Sequence, residues 1–387
     1  AKDCLFSRLQ LLMPPVVIEL RSAEDSRDVV HRAVQALAEG HLVALPTETV
    51  YCLAASALSQ PAVERLQAFT VGQAHALTLA IKSPDEALDY APYLGSLGQR
   101  LSRRCWPGPV TMIVEDRHPD SLVRQLDRQV QQAVVKDGHV GLRVPGHQLV
   151  LDVLRLLAGP VVIATVRHDG ADPVRAQQMI DAFGDSLSLV LDDGRSRFGQ
   201  PCSIVKVRDR NFDVVEVGVV SAQTLKRLAS MIVLFVCTGN TCRSPMAEGL
   251  FRHLLAEKLG SAPAELEDRG AIVMSAGIAA MLGGRAANEA VNVLAPLGID
   301  LTAHESQPLT EQLVRHADLI LAMTRSHRQA ILAEWPTAAE RVKLLSHEGA
   351  DVPDPVGGPA ELYERCLAQM TPDVERWVEW TAEQIQP

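Results

Sequence analysis

An eight-residue segment at positions 237–244, Cys-Thr-Gly-Asn-Thr-Cys-Arg-Ser, constrains the fold more than any other feature of this sequence. It follows a fully apolar run, residues 231–236, and precedes a segment with helical spacing, residues 244–259. Short strands without polar residues are typical of parallel sheets that are buried on both faces. A buried strand, a glycine-containing loop and a helix in this order predict an α/β fold.

The same loop has the physical features of an anion-binding site. Its backbone N–H groups can converge on an anion, and the N-terminus of the following helix adds positive potential. Gly239 permits a positive φ, and Asn240 tolerates one better than most residues with a side chain. The guanidinium of Arg243 can hold two phosphate oxygens at once. The loop therefore predicts a phosphate site, whose further members are Thr238, Thr241 and Cys242.

Cys237 is the predicted nucleophile of this site. A nearby arginine and a helix N-terminus both favour the thiolate, which is the reactive form of cysteine. The thiolate can attack phosphorus and form a phospho-cysteine intermediate, while the Ser244 hydroxyl donates a hydrogen bond to the sulfur. Asp354 is the predicted general acid, because it lies in a Pro- and Gly-rich loop after a predicted strand, residues 341–345.

Three other residues near the loop or in the same half of the chain have simpler interpretations. Cys242 is either a small packing residue or the partner of Cys237 in a reversible disulfide that protects the nucleophile from overoxidation. Ser275 and His304 are interpreted as structural hydrogen-bonding residues rather than as catalysts.

Strands and helices alternate from residue 231 to residue 387. After the first strand and helix, further strands are predicted at 271–275, 318–323 and 341–345, with helices between them and a long closing helix from residue 361. This alternation predicts a parallel sheet covered by helices on both faces.

This part of the chain resembles the low-molecular-weight protein phosphatase family. Besides the loop, the resemblance rests on four segments: 274–277, 304–313, 317–324 and 354–358. It implies a four-stranded parallel sheet, a phosphorylated protein as the substrate, and neither a metal nor a cofactor.

Two features favour phosphoarginine over phosphotyrosine as the group that is hydrolysed. The tyrosine phosphatases of this family usually have an aliphatic residue in place of Thr241, and aromatic residues where this chain has Val-Gly-Gly at 356–358. The combination found here resembles the bacterial protein-arginine phosphatase branch. Phosphotyrosine remains the open alternative.

The N-terminal half predicts a second α/β domain, with boundaries at residues 17–220 against 231–387 for the phosphatase-like domain. Residues 17–44 have a strand, helix, strand pattern, and the helix is expected to end near Gly40. Further strands are predicted at seven places: 77–81, 110–114, 140–144, 161–165, 188–191, 203–207 and 214–218.

This domain resembles the YrdC-like threonylcarbamoyl-adenylate synthase family, through segments at 42–58, 103–114, 140–147, 159–165 and 200–207. The resemblance implies a twisted, mixed α/β sheet with a nucleotide-binding hollow. It also implies four pocket residues: Thr47, Thr49, Arg143 and Ser203.

The synthase pattern is incomplete. The family uses a Lys-x-Arg pair for its anionic substrates, but the corresponding segment here, residues 67–81, has neither Lys nor Arg. A triphosphate would therefore be poorly neutralised. Cys52 replaces a glycine, Cys202 replaces a serine, and Arg167 stands where the family has asparagine. These departures predict a degenerate module that binds a ligand, RNA or a partner without catalysis.

The charge distribution argues against a strong nucleic-acid binder. The net charge is −10. Residues 231–387 hold 12 Lys and Arg against 21 Asp and Glu, a net charge of −9, which leaves −1 for the rest of the sequence.

No apolar run reaches the roughly 18 residues that span a bilayer, so no membrane contact is expected. The first 15 residues are interpreted as a ragged leader rather than a signal peptide. Seven cysteines do not form a disulfide framework, and a cytoplasmic protein is predicted.

Three functional hypotheses follow from these patterns. The first is a cysteine-dependent protein phosphatase joined to an inactive YrdC-like module, which retains a possible nucleotide or RNA site. The second is a bifunctional enzyme that also makes threonylcarbamoyl-adenylate for tRNA modification. The third is a phosphoprotein-binding module without turnover.

Overall fold

A computed structural model describes residues 14–70 and 76–385 of the chain. Most of the predicted leader and residues 71–75 of the cation-free segment lie outside the described residues. The chain divides into two compact units, Ala1–Leu225 and Lys226–Pro387.

The first unit is built on one mixed sheet. Within the described residues its strands are β1 (Val16–Glu19), β2 (Val43–Leu45), β3 (Cys52–Ser56), β4 (Thr78–Ala80), β5 (Val110–Glu115), β6 (Val135–Lys136), β7 (His139–Arg143), β8 (Val161–Ala164), β9 (Leu189–Asp192), β10 (Ser203–Val207) and β11 (Phe212–Glu216). The order across the sheet is β1-β9-β2-β3-β8-β4-β7-β5-β10-β11, and β6 pairs with β7. The sheet contains parallel pairs, such as β4 with β7, and antiparallel pairs, such as β3 with β8, so the prediction of a mixed sheet is confirmed.

Helices cover this sheet in part. The helices of the first unit are α1 (Ser26–Ala38), α2 (Gln60–Ala68), α3 (Ala87–Tyr90), α4 (Ser96–Cys105), α5 (Arg128–Val134), α6 (Gln148–Leu156) and α7 (Ala176–Phe183), and α8 (Ala222–Ala229) follows at the junction of the units. The Asp25 side chain caps α1 by accepting the Arg27 N–H at 2.8 Å. Apolar residues of α1 and α6 share a core cluster with β2, β3 and β8, which buries that part of one sheet face.

The second unit contains a sheet of four parallel strands. They are β12 (Met231–Cys237), β13 (Ala271–Gly277), β14 (Leu319–Ala322) and β15 (Val342–Leu344), in the order β13-β12-β14-β15. The register aligns Cys237 with Gly277, the last residues of two neighbouring strands. The prediction of a four-stranded parallel sheet is confirmed.

Helices pack against both faces of this sheet. They are α9 (Arg243–Leu259), α10 (Asn288–Leu294), α11 (Glu311–His316), α12 (Arg325–Glu334) and α13 (Ala360–Ile385). Alternate residues of β12 point to opposite faces, so Phe235 packs with α9, α10 and α13 while Val236 packs with α11 and α12. Phe235 and Phe251 meet edge to face, with ring centroids 5.4 Å apart.

All four strands of the second unit end at one edge of the sheet, as parallel strands must. The loop after β12 therefore lies beside the loop after β13, where the N–H groups of Ile278 and Ala279 donate to the carbonyls of Cys237 and Thr238 at 3.0 and 2.9 Å. A Cβ on Gly277 would lie 2.5 Å from the Thr238 carbonyl oxygen, so only glycine fits there. The carboxyl edge thus brings segments that are distant in sequence to one place.

Candidate active site

Cys237 lies at the tip of β12 with 3% of its surface exposed. The backbone N–H of Asn240 donates to its Sγ at 3.2 Å, and Ser244 Oγ lies 3.0 Å from the same sulfur. Asn240 Nδ2 donates to Ser244 Oγ at 2.9 Å, so the serine hydroxyl keeps its own hydrogen. It can donate that hydrogen to Cys237, because its other neighbour, the Ala276 carbonyl, is more distant at 3.5 Å. Two hydrogen-bond donors thus face the sulfur.

Asn240 fixes the shape of the loop. It is fully buried and has a φ of 56°, the left-handed conformation that asparagine tolerates. Its side chain also donates to Ser275 Oγ at 2.8 Å and accepts the Gln307 N–H at 2.9 Å. His304 Nε2 lies 2.8 Å from the Asn240 carbonyl oxygen. Ser275 and His304 therefore contact the loop and not the reactive sulfur.

Ser275 is itself held by a partly buried acid, Glu248. Its hydroxyl donates to Glu248 Oε2 at 2.6 Å. Burial raises the pKa of Glu248, an effect that the hydrogen bond from Ser275 and the charge of Arg252 partly oppose. The hydrogen bonds from Ser275 to Glu248 and from Asn240 to Ser275 therefore hold the loop in one conformation.

Arg243 begins α9 and is 4% exposed. Its Nη1 donates to the Val352 carbonyl at 3.1 Å, and its Nη2 lies 3.4 Å from Thr238 Oγ1. Its Nε is buried and has no hydrogen-bond partner in the part of the chain that the structure describes. The Cys242 side chain does not cap the first turn of α9, which leaves N–H groups of that turn available to an anion.

Asp354 reaches the same place from the loop after β15. Its carboxylate forms an ion pair with Arg243 Nη2, and 39% of its side chain is exposed. The Val356 N–H donates to its other oxygen at 3.3 Å. The predicted acid and the predicted phosphate clamp, 111 residues apart in sequence, are thus in direct contact.

Cys242 is the sixth residue of the loop segment, and 4% of its surface is exposed. Its Sγ is 3.4 Å from the hydroxyl of Tyr363 and 3.6 Å from that of Thr241. Burial, with the neighbouring Cys242, raises the pKa of Tyr363, so the phenol stays protonated. Cys237 and Cys242 are both free thiols here. The contacts of Cys242 are those of a packing residue, and its predicted disulfide remains a prediction.

Thr241 has no hydrogen bond from its hydroxyl to the loop backbone among the contacts that the structure describes. Its backbone carbonyl accepts the Ala287 N–H at 2.9 Å, which holds the main chain. The hydroxyl lies 3.6 Å from Cys242 Sγ, and the side chain is partly exposed, so the hydroxyl can still reach a ligand.

One neighbour of the loop, His327, is not predicted by the sequence. It is 4% exposed, and its Nε2 lies 2.9 Å from Thr238 Oγ1. The sequence feature that could have placed His327 beside the loop is Thr324. It caps α12 at the carboxyl end of β14, and His327 lies three residues into that helix. Pattern alone does not separate such a histidine from one on an exposed helical face.

Three of the four predicted pocket residues of the first unit come together. Thr47 Oγ1 lies 2.8 Å from Thr49 Oγ1, and Arg143 Nη2 donates to Thr49 Oγ1 at 3.0 Å. Arg143 also forms a buried ion pair with Glu48 at 2.7 Å. The positive charge of Arg143 is therefore already matched by a carboxylate.

Ser203 has a different role in the contacts of this unit. Its hydroxyl donates to the Val220 carbonyl at 2.8 Å and accepts the N–H groups of Gly218 and Val220, each at 3.0 Å. It has no direct hydrogen bond to the other three candidates among the described contacts. These bonds join the start of β10 to the segment that follows β11.

A thiol at the end of a parallel strand, the Asn240 N–H, an arginine and the carboxylate that pairs with it lie at one edge of an α/β sheet. Residues 232–386 match the family described as low molecular weight phosphotyrosine protein phosphatase. A protein-arginine-phosphatase of Bacillus subtilis is 40% identical over 144 residues, which are 36% of this chain and 89% of that protein. A probable low molecular weight protein-tyrosine-phosphatase of Ralstonia solanacearum is 39% identical over 147 residues, 38% of this chain and 92% of that protein. The chain belongs to the low-molecular-weight protein phosphatase family.

The first unit has a separate relationship. Residues 35–218 match the YrdC-type family described as telomere recombination. A threonylcarbamoyl-AMP synthase of Pyrococcus abyssi is 29% identical over 175 residues, which are 44% of this chain and 48% of that protein. The chain thus joins a YrdC-like unit to a phosphatase unit, as the sequence patterns predict.

The described residues contain no group of three or more His, Cys, Asp or Glu side chains placed to hold a metal ion. Within residues 14–70 and 76–385, no helix combines the length and the apolar character needed to cross a bilayer.

Proposed function

We propose that the second unit is a cysteine-dependent protein phosphatase that works through a phospho-cysteine intermediate. The observation that carries this proposal is the meeting of Cys237, Arg243 and Asp354 at the carboxyl edge of one sheet. Two hydrogen-bond donors face the sulfur that attacks phosphorus: Ser244 Oγ lies 3.0 Å from Cys237 Sγ, and the Asn240 N–H donates to it at 3.2 Å.

The reaction has two steps. In the first, the Cys237 thiolate attacks phosphorus, the bond from phosphorus to the leaving atom breaks, and Asp354 gives that atom a proton. In the second, Asp354 takes a proton from water as the water attacks phosphorus, and the thiolate leaves as inorganic phosphate forms. Arg243 and the loop N–H groups hold the phosphoryl oxygens throughout.

The ion pair between Asp354 and Arg243 must open in this cycle. A bound phosphoryl group needs the guanidinium, so it displaces the carboxylate from Arg243. Because 39% of the Asp354 side chain is exposed, the carboxylate has room to turn toward the leaving group. Binding of the substrate thus releases the acid for its catalytic role.

The preferred phosphate donor is phosphoarginine. The support is the partly exposed Thr241 hydroxyl, the absence of aromatic residues at 356–358, and the similarity to the arginine phosphatase of Bacillus subtilis. Val356 is 65% exposed and Gly357 has a φ of 73°, so residues 356–358 present no aromatic ring to flank a phenyl group.

The test is phosphate release from phosphoarginine- and phosphotyrosine-containing proteins, measured side by side with Cys237→Ser as the control.

Replacing Thr241 by isoleucine should shift preference from phosphoarginine toward phosphotyrosine by about tenfold or more in the ratio of kcat/KM values. The change removes a polar contact and adds an apolar wall that suits a phenyl ring. Thr241→Ser, which keeps the hydroxyl, is the matched control and should keep the parent's preference. An equal loss of both activities in Thr241→Ile would mean that Thr241 serves loop geometry only.

The first unit binds a nucleotide, RNA or a partner without synthase turnover. The support is the absence of Lys and Arg from residues 67–81 and the buried pairing of Arg143 with Glu48. Because of these two features, few positive side chains are available to neutralise a bound triphosphate. The second hypothesis, a bifunctional enzyme, rests on the similarity to the Pyrococcus abyssi synthase.

The full chain is expected to make little or no threonylcarbamoyl-adenylate from threonine, bicarbonate and ATP. The measurement is threonine-dependent pyrophosphate release, with a phosphatase-dead Cys237→Ser chain so that hydrolysis by the second unit adds no signal. Robust release that requires threonine would establish the bifunctional alternative instead.

A further inference from the structure

We propose that His327 is a positioning residue that holds the phosphate clamp Arg243 in place through the hydroxyl of Thr238. The proposal rests on the proposed phosphatase function and adds a residue to its site. His327 lies on α12, and its imidazole reaches the loop after β12 from the neighbouring strand's end.

The contacts form a continuous chain. Thr324 Oγ1 accepts the His327 backbone N–H at 3.2 Å and lies 3.0 Å from Nδ1 of the ring. The other nitrogen, Nε2, lies 2.9 Å from Thr238 Oγ1, which is 3.4 Å from Arg243 Nη2. Thr324 therefore fixes the ring, and the ring fixes the Thr238 hydroxyl.

The imidazole can serve this role in either neutral tautomer. It can donate from Nε2 to Thr238 and accept the Thr324 hydroxyl at Nδ1, or do the reverse. In both cases Thr238 Oγ1 keeps a lone pair for the Arg243 N–H. Burial, and then the charge of Arg243, lower the pKa of His327, which is consistent with a neutral ring beside the guanidinium.

The hydrogen bonds from His327 through Thr238 to Arg243 matter most when a phosphoryl group is bound. Arg243 has three anchors in the free site: the Val352 carbonyl, Thr238 Oγ1 and Asp354. Catalysis requires Asp354 to leave, and two anchors then remain. Thr238 is the anchor on the side of the nucleophile loop, and its side-chain hydroxyl is held by His327.

Two variants of His327 separate positioning from packing. His327→Gln places an amide near the former Nε2, so it can still reach Thr238, whereas His327→Asn is one carbon shorter and cannot. Thr238→Val removes the hydroxyl at an exposed residue with little change in shape. His347→Leu is a control for loss of a bonded imidazole, because His347 Nδ1 contacts Asp373 at 3.0 Å and no loop residue.

The experiment measures binding of inorganic phosphate by calorimetry, and kcat and KM for p-nitrophenyl phosphate, in the full chain. His327→Asn and Thr238→Val should each weaken phosphate binding and raise KM by about tenfold, the scale of one lost hydrogen bond to a charged group. The variant that carries both changes should lose no more phosphate affinity than either single variant, because both changes break the same series of hydrogen bonds from His327 to Arg243. His327→Gln and His347→Leu should stay within about twofold of the parent.

Additive losses in the double variant, or phosphate binding equal to the parent in Thr238→Val, would overturn the positioning role. Neither result would touch the phosphatase assignment, which is read from turnover of the parent. Phosphate binding is measured apart from turnover, so the positioning role is tested even if the parent hydrolyses no ester.

Discussion

Replacing Cys237 by serine is expected to abolish turnover, by at least about 10³-fold, while leaving binding of inorganic phosphate measurable. A serine hydroxyl does not replace a cysteine thiolate as the nucleophile, so the attack on phosphorus fails. The Asn240 N–H, the start of α9 and Arg243 all remain, and they provide the affinity for the anion.

The matched control is Cys202→Ser, which removes a thiol from the first unit at a position where the related family has serine. Its Sγ contacts Thr111 at 3.3 Å and takes no part in the phosphate loop. This variant should keep the parent's phosphatase turnover. Activity within tenfold of the parent in Cys237→Ser would instead remove Cys237 from the role of nucleophile.

Asp354→Asn should slow hydrolysis by about 10² to 10⁴, the usual scale for loss of a general acid. The loss should shrink as the leaving group becomes more acidic, since such a group needs less protonation. Phosphate binding should stay equal or become tighter, because Arg243 no longer shares its charge with a carboxylate. Rates are measured across a series of aryl phosphates with leaving groups of widely different pKa.

Asp351→Asn is the matched control for this prediction. Asp351 lies three residues earlier in the same loop, but its Oδ1 accepts the Arg325 N–H at 2.8 Å rather than contacting Arg243. Its loss should change turnover little. A loss in Asp354→Asn that is equal for good and poor leaving groups would contradict the acid role.

The fold of the second unit was predictable because its strands are mostly apolar and its helices have clear stops. Residues 231–236 and 318–323 contain almost no polar side chains between turn-forming segments, so strand and helix alternate without ambiguity. The boundaries shift by one or two residues: the strand predicted at 318–323 spans Leu319–Ala322, and the strand predicted at 341–345 spans Val342–Leu344.

The first unit was less predictable in detail. The patterns do not predict β3, because Cys52–Ser56 is rich in alanine and lacks the β-branched residues that mark strands. Its conformation depends on pairing with β2 and β8 on either side, which are tertiary contacts. The two-residue β6 is too short for any periodic signal.

The candidate site was predictable where chemistry is concentrated in one segment. Residues 237–244 carry the proposed nucleophile, the proposed phosphate clamp and the permissive backbone positions together, and Asp354 has a distinctive Pro- and Gly-rich setting. His327 is different, because only the fold brings α12 against the loop after β12. The ion pair between Arg143 and Glu48 is likewise a product of strand order, since it joins residues 95 apart.

The phospho-cysteine intermediate is the central claim, and rapid-quench mass spectrometry of the full chain tests it most directly. The Asp354→Asn variant is mixed with p-nitrophenyl phosphate, whose leaving group needs little protonation, and quenched before the slowed second step is complete. We expect the peptide that contains Cys237 to gain the mass of one phosphoryl group, and the Cys237→Ser chain to show no such gain. Turnover of the parent with no phosphorylated Cys237 peptide at any quench time, or a phosphoryl group on another residue, would contradict the mechanism.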